Sequence, residues 1–103
     1  MNHEEKIMKG LKGCLGLSTA GHDKGTVYLI LDEDDKRVYV ADGMLKKAEA
    51  PKAKNKKHIQ AAGNEAAEKL LKESGGRPKD EDIRKLLKEY RKMSVRTQED
   101  GNV

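Results

Sequence analysis

Aromatic side chains are scarce in this chain: its 103 residues include three tyrosines and no phenylalanine or tryptophan. Only 35% of the residues are apolar, whereas 39% are charged. A core must therefore be assembled from valine, leucine, isoleucine and alanine, and we expect a folded unit of about 50–60 residues, near the lower limit for independent stability. This size excludes a two-domain enzyme, a large substrate cleft and a fold built around a cofactor.

Long apolar runs and cysteine pairs are also missing. The longest apolar run comprises residues 27–31, far short of the ~18 residues that a bilayer-spanning helix needs. Residues 1–12 mix lysines with Glu4 and Glu5 and lack the apolar stretch of a signal peptide. The single cysteine, Cys14, cannot form a disulfide within the chain, which is typical of a reducing compartment. We therefore expect a cytoplasmic protein that does not act at a membrane.

The positive charge is concentrated in one segment. Residues 44–60 hold six lysines and one glutamate, whereas residues 26–43 hold five acidic and two basic residues. Residues 46–57 are called the basic run below, and their second half, from Pro51 onwards, contains no acid. Such a run attracts phosphate chains or anionic surfaces. The alternative is that these lysines only keep a small protein in solution.

Short β-branched and aliphatic segments separated by turn residues predict a small antiparallel barrel. The expected strands are residues 11–18, 26–31, 37–41, 44–47 and 58–60. In the second of these, Val27, Leu29 and Leu31 share one face, and in the third Val38 and Val40 do. Closure of the barrel would remove exposed sheet edges.

Two amphipathic helices are predicted after the barrel. Asn64 is expected to cap the first, which ends at residues 74–76 (SGG), and Asp80 to cap the second. The apolar stripe of the second helix consists of Ile83, Leu86, Leu87 and Tyr90. The predicted organisation is a flexible N-terminal extension (1–12), a barrel (13–60), a helical appendage (61–93) and a disordered tail (94–103).

Two glycines bracket a polar loop at residues 21–25 (GHDKG), called the glycine loop below. A loop that brings its backbone against a phosphate chain needs residues that tolerate positive φ and present no Cβ. Gly21 and Gly25 meet this need, and Lys24 adds a point charge. The alternative is an ordinary turn that closes a hairpin.

These segments together resemble KOW-domain RNA-binding proteins, in particular bacterial ones related to single-KOW proteins of the archaeal and eukaryotic large ribosomal subunit. The resemblance spans roughly residues 15–60 and rests on SxAGxDKG, a valine-rich strand pair, ADGxLxK and a lysine-rich segment ending in KH. It implies an SH3-like barrel that binds structured RNA, usually ribosomal RNA. It also implies contacts from Lys24, Lys46 and Lys47, whereas His22 stands where the family commonly has arginine.

Other kinds of site have weaker signals. Cys14, His3, His22 and His58 do not show zinc-ligand spacing, and no nucleophile, base and orienting group can be assembled. The acidic residues 32–35 lack the loop pattern of a calcium site. Tyr28 and Tyr39 are either base-stacking groups on the outer barrel face or half-buried partners of neighbouring strands.

The sequence therefore predicts a non-enzymatic, monomeric RNA-binding protein with an SH3-like barrel, associated with the ribosome and needing no metal or cofactor. The expected RNA contacts are Gly21, His22, Asp23, Lys24, Gly25, Lys46, Lys47, Lys52, Lys54, Lys56, Lys57 and His58. Weak discrimination between bases is expected because the basic run contains no arginine. The alternative is a protein-interaction adaptor that uses the barrel or the apolar helix face of residues 83–90, which would give the C-terminal helices a protein partner.

Overall fold

The strands of the protein form one sheet, and two helices follow it. The computed structural model describes the backbone of residues 10–102 and the side chains of residues 10–93. In chain order the elements are β1 (Leu15–Ser18), β2 (Val27–Glu33), β3 (Arg37–Ala41), β4 (Lys52–Asn55), a 3-10 turn (Lys56–His58), β5 (Ile59–Ala62), α1 (Glu65–Glu73) and α2 (Asp80–Asn102).

The sheet is antiparallel throughout, with the strand order β4-β3-β2-β1-β5. Strands β1 to β4 form a meander, and β5 returns to pair with β1, where Leu15 lies opposite Ala62 and Ser18 opposite Ile59. This SH3-like strand order confirms the predicted class, a small mainly-β domain followed by two helices. Within residues 10–102 no ladder joins β4 to β5, so the sheet is open at that point.

The fourth strand lies in the basic run. The prediction of a strand at residues 44–47 is wrong. The carboxylate of Asp42 accepts hydrogen bonds from the amides of Met44 (2.8 Å) and Lys46 (2.9 Å). The Asp42 amide donates to the Lys46 carbonyl at 2.9 Å. These bonds close a turn, and the chain becomes extended again only in β4. His58 belongs to the 3-10 turn, so the last strand begins one residue later than expected.

Strand β2 is buried on both faces, which explains its uninterrupted apolar sequence. As predicted, Leu29 and Leu31 share a face, and this face packs against the two helices. The buried residues of this helix-side layer are Leu15, Leu29, Leu31, Ala41, Ala67, Leu71, Ile83 and Leu87.

The opposite face of the sheet forms a second, inner layer. Its buried residues are Tyr28, Ile30, Val38, Val40 and Ile59. Gly16 lies within β1 and permits close packing there. A Cβ at Gly16 would lie 3.1 Å from Ile59 and 3.2 Å from Ile30, so a side chain at this position would require these two isoleucines to shift by a few tenths of an ångström.

Helix α1 begins and ends as predicted. The side chain of Asn64 accepts a hydrogen bond from the Ala67 amide at 2.9 Å. Gly75 and Gly76 follow the helix with φ of 67° and 86°, and the Gly76 amide donates to the Leu71 carbonyl at 2.9 Å. Glycine is suited to this position because it adopts positive φ without a steric penalty.

Helix α2 begins at Asp80, but Asp80 is its first helical residue and not its cap. The carbonyl of Lys79 accepts the first helical hydrogen bond, from the Ile83 amide at 3.0 Å. The Asp80 carboxylate instead accepts a hydrogen bond from the Ala48 amide at 2.7 Å. Asp80 therefore ties the connection between β3 and β4 to the helix. Ile83 and Leu87 are fully buried in the helix-side layer.

Two predicted segments lie at the ends of the chain. Residues 1–9 of the expected N-terminal extension are outside the described residues. The backbone of α2 continues to Asn102 and so is helical over residues 94–102, for which the sequence suggested disorder. No proline occurs beyond Pro78, and an established helix is extended more easily than it is nucleated. Among the described residues, no helix has the length and apolar character that crossing a membrane requires.

Candidate nucleic-acid interface

The glycine loop is built as its sequence predicts, but part of its backbone is already hydrogen-bonded. Gly21 and Gly25 have φ of 91° and 93°. The amide of Lys24 donates to the Gly21 carbonyl (3.2 Å), and the amide of Gly25 donates to the Ser18 carbonyl (2.8 Å). These two amides are therefore not available to a phosphate in this conformation. The side chains of Lys24 and His22 are exposed.

Asp23 points back into the protein and joins four donors. Its carboxylate accepts hydrogen bonds from the hydroxyls of Tyr28 (2.6 Å) and Ser18 (2.8 Å). The ammonium groups of Lys54 and Lys52 lie 2.9 Å and 3.4 Å from it. Because β4 is three places from β1 in the sheet, these contacts mean that the sheet curls until its edge strand meets the glycine loop.

This network shifts the pKa values of Asp23 and Tyr28, which share its shortest hydrogen bond. Burial raises the pKa of the Asp23 carboxyl, but the hydrogen bonds from Tyr28, Lys54 and Ser18 outweigh burial and hold this pKa well below its usual range. Burial and the hydrogen bond to Asp23 raise the pKa of the Tyr28 hydroxyl above its usual range. Asp23 is therefore a stable anion and Tyr28 a stable donor.

Three lysines of the basic run have carboxylate partners, although the second half of the run contains no acid. Lys54 is only 9% exposed and, besides Asp23, its ammonium donates to the Ala20 carbonyl at 3.3 Å. Lys52 makes the longer contact with Asp23 described above. Lys56 lies 2.9 Å from Glu33, a contact that lowers the pKa of the Glu33 carboxyl despite partial burial. Both acids are distant in sequence, at the ends of the meander hairpins, which is why local composition does not reveal them.

Other cations near the glycine loop form no ion pair with the described residues. Lys24, Lys47 and Lys57 are exposed and Lys46 is half-buried. His58 is exposed, and its carbonyl accepts a hydrogen bond from the Thr19 amide at 2.9 Å. This bond holds the 3-10 turn beside the start of the β1–β2 connection.

The glycine loop and the basic run meet at an open depression of about 330 Å³, called the loop depression below. Its lining comes from the glycine loop and the start of β2, the β3–β4 connection and the start of β4: His22, Asp23, Thr26, Tyr28, Asp42, Leu45, Lys46 and Lys52. The expected contacts His22, Asp23, Lys46 and Lys52 are thus brought together. Lys47, Lys56, Lys57 and His58 lie outside this lining.

Of the two strand tyrosines, Tyr28 is too deeply buried to stack on a base, whereas Tyr39 is only partly buried. Tyr28 is 2% exposed and lies in the inner layer. Tyr39 is half-buried, and its hydroxyl donates to Asp34 at 2.6 Å. This hydrogen bond, with those from the amides of Arg37 and Lys36, lowers the pKa of Asp34 to about 2 and raises that of Tyr39. The turn that contains the acidic residues 32–35 is therefore ordered by its own hydrogen bonds.

Leu45 is a site residue that the sequence analysis missed. It is 86% exposed and lines the loop depression, next to Met44, which is 63% exposed. The available signal was an apolar pair inside a turn, flanked by lysines. The depression thus presents the ammonium groups of Lys46 and Lys52, the carboxylates of Asp23 and Asp42, and one apolar side chain.

The remaining observations concern metal binding and similarity to known proteins. Among the described residues, no group of three or more histidine, cysteine, aspartate or glutamate side chains is arranged to hold a metal ion. No protein-family model matches the chain, and no curated protein matches it significantly.

Proposed function

We propose that this chain is a KOW-type RNA-binding protein that acts as a cytoplasmic, non-enzymatic monomer in association with ribosomal RNA. The observation that carries the proposal is the meeting of His22, Lys46 and Lys52 at one depression. Lys24 on the glycine loop and Lys47 and Lys57 in the basic run are exposed and have no carboxylate partner among the described residues. The ribosomal target and the KOW relationship rest on the sequence resemblance.

The mechanism is recognition of charge and shape. Exposed ammonium groups on the glycine loop, the β3–β4 connection and the 3-10 turn contact phosphates of a folded RNA and release its counterions. Lys54 takes no part in these contacts, because it is buried against Asp23. Its role is to hold β4 and the glycine loop together, so that the contacting lysines keep a fixed spacing. Phosphate contacts of this kind position an RNA without reading its sequence.

A salt titration tests the proposal. Affinity for a labelled RNA hairpin with an internal loop is measured by fluorescence anisotropy at increasing sodium chloride concentrations. If about four to six cations neutralise phosphates, the logarithm of the affinity falls with the logarithm of the salt concentration with a slope of roughly −3 to −5. Binding that does not change with salt, or no binding at low salt, would contradict the proposal.

Matched variants separate the interface from general charge. The face variant K24A/K46A/K47A/K57A is compared with K69A/K85A/K88A/K92A, which also removes four lysines, all exposed and on the helices. The face variant is expected to bind at least about tenfold more weakly than the helix variant. Equal losses of affinity would mean that binding reflects only net charge.

A protein-interaction adaptor is the second candidate function. The observation that favours it is the exposure of two large apolar side chains, Met44 and Leu45, on one turn. The helix face of residues 83–90 is less suited to this role, because Ile83 and Leu87 are buried and Tyr90 packs on the same layer. A partner captured from lysate that stays bound after nuclease treatment and is lost in M44S/L45S would favour the adaptor.

A further inference from the structure

A second cavity is lined in part by the β3–β4 connection, which also contributes to the loop depression. It has a volume of about 570 Å³ and is called the linker cavity below. Its lining joins the β3–β4 connection to the segment between α1 and α2: Lys47, Ala48, Glu49, Arg77, Pro78, Lys79 and Asp80. Three cations from two distant segments therefore face one space.

The charges of the linker cavity favour an anion. Its lining holds three exposed cations, Lys47, Arg77 and Lys79, against two acids, Glu49 and Asp80, which leaves an excess of one positive charge. The Asp80 carboxylate accepts a hydrogen bond from the Ala48 amide at 2.7 Å. Arg77 also supplies what the basic run lacks. Its planar guanidinium presents two parallel N–H groups to a phosphate, whereas a lysine presents a point charge.

The position of the cavity relative to the loop depression is fixed by hydrogen bonds. Arg84 donates to the Gly43 carbonyl at 2.6 Å, and the Ala48 amide donates to Asp80. These contacts attach the β3–β4 connection to the start of α2 at two points, Gly43 and Ala48. Lys46 lines the loop depression and the next residue, Lys47, lines the linker cavity. The loop depression and the linker cavity therefore meet at consecutive residues of the β3–β4 connection.

We propose that the linker cavity binds a phosphate of the same RNA that occupies the loop depression, with Arg77 and Lys79 as contact residues. The inference rests on the proposed function and deepens it. The helical appendage is then part of the nucleic-acid interface, and an RNA strand that crosses Lys46 and Lys47 continues onto the α1–α2 segment. Neither Arg77 nor Lys79 is near the basic run in sequence, so the sequence analysis did not include them.

The test compares R77A/K79A with K85A/K88A, each of which removes two exposed cations. Both variants are titrated with the same labelled RNA hairpin across a range of sodium chloride concentrations. R77A/K79A is expected to bind about tenfold more weakly than K85A/K88A, with a salt slope shallower by about one to two. The single variant Arg77→Lys, which keeps the charge and loses the planar donor pair, is expected to fall between wild type and Arg77→Ala.

The outcomes separate this inference from the proposed function. If wild type binds with a steep salt slope and R77A/K79A behaves like K85A/K88A, the linker cavity is not a contact and the inference fails while the RNA interface stands. If wild type shows no salt-dependent binding, the proposed function fails, and this inference with it. Both double variants should unfold at the same denaturant midpoint as wild type, which verifies that the changes act on binding and not on folding.

Discussion

The ammonium group of Lys54 lies 2.9 Å from Oδ1 of Asp23, across 31 residues of sequence. This pair joins the edge strand β4 to the glycine loop and is almost completely withdrawn from water. A lysine in the middle of a basic run is thereby a structural residue, and an aspartate between two glycines is the group that holds it. In the proposed function, contact with RNA is left to the neighbours of both.

Replacement of Lys54 is expected to reduce stability more than any exposed lysine of the basic run. Lys54→Met keeps much of the aliphatic stem but leaves the Asp23 carboxylate without its closest cation. The free energy of unfolding should fall by about 2–3 kcal/mol, the usual cost of a buried polar group that loses a charged partner. Denaturant unfolding measures the change.

Lys57→Ala is the control for this prediction, because Lys57 is exposed and has no ion pair among the described residues. Its unfolding free energy should change by less than about 0.5 kcal/mol. A Lys54→Met variant as stable as Lys57→Ala would show that the Asp23 pair does not hold the loop to β4.

Asp23 also predicts how stability responds to acid. Its pKa in the folded protein is well below the usual range, so the folded state binds fewer protons than the unfolded state in acid. The contribution of Asp23 is therefore complete above pH about 4, near the ordinary pKa of aspartate, and is lost as the pH falls towards the depressed folded value. Unfolding free energy measured between neutral and acid pH should decline in this window.

The Asp23→Asn variant is expected to be less stable at neutral pH and to show a flatter decline in acid. Asp35→Asn is the matched control, since Asp35 is exposed and forms no ion pair or side-chain hydrogen bond among the described residues. If the unfolding free energy of Asp23→Asn falls with acid as steeply as that of Asp35→Asn, a group other than Asp23 causes the acid sensitivity.

The elements that the sequence predicts correctly are those whose signals are local. Strands β2 and β3 follow from β-branched alternation, and α1 follows from the Asn64 cap and the glycines after it. Strand β4 was missed because its sequence, KAKN, is three-quarters polar and carries no apolar alternation. It is a strand because Lys54 finds Asp23 and its backbone pairs with β3, and neither contact can be deduced from neighbouring residues.

The candidate site was predicted in part for the same reason. The glycine loop and the basic run were identified from composition, and the structure brings His22, Lys46 and Lys52 together. Which lysines have carboxylate partners depends on how the sheet curls, a long-range property. Tyr28 was ambiguous because a strand tyrosine has the same local pattern whether it faces inwards or outwards.

Gly43 is expected to be required for the attachment of α2 to the sheet. Its φ is 79°, and an added Cβ would collide with the carbonyl oxygen of Asp80. Gly43→Ala should therefore combine the cost of a left-handed alanine, about 1 kcal/mol, with an overpacking cost of about 1–3 kcal/mol. Thermal unfolding measures the total, and faster amide exchange at the start of α2 would report its detachment.

Gly75→Ala separates the two costs of that substitution. Gly75 has a similar φ of 67°, but no atom lies within 4 Å of its added Cβ. Only the backbone cost of about 1 kcal/mol is expected there. If Gly43→Ala and Gly75→Ala lose the same amount of stability, the close approach of α2 to the β3–β4 connection is refuted.

Leu45 gives a prediction that is independent of charge. Because this side chain is 86% exposed, Leu45→Ser should leave the unfolding free energy within about 0.5 kcal/mol of wild type. If an unstacked base covers Leu45 in the complex, the loss of apolar burial should weaken RNA binding by about 1 kcal/mol, roughly fivefold. The slope of affinity against salt should not change, since no cation is removed.

Met44→Ser is the matched control, because Met44 is also exposed but does not line the loop depression. Equal effects of the two variants, or a changed salt slope in Leu45→Ser, would contradict a base contact at Leu45.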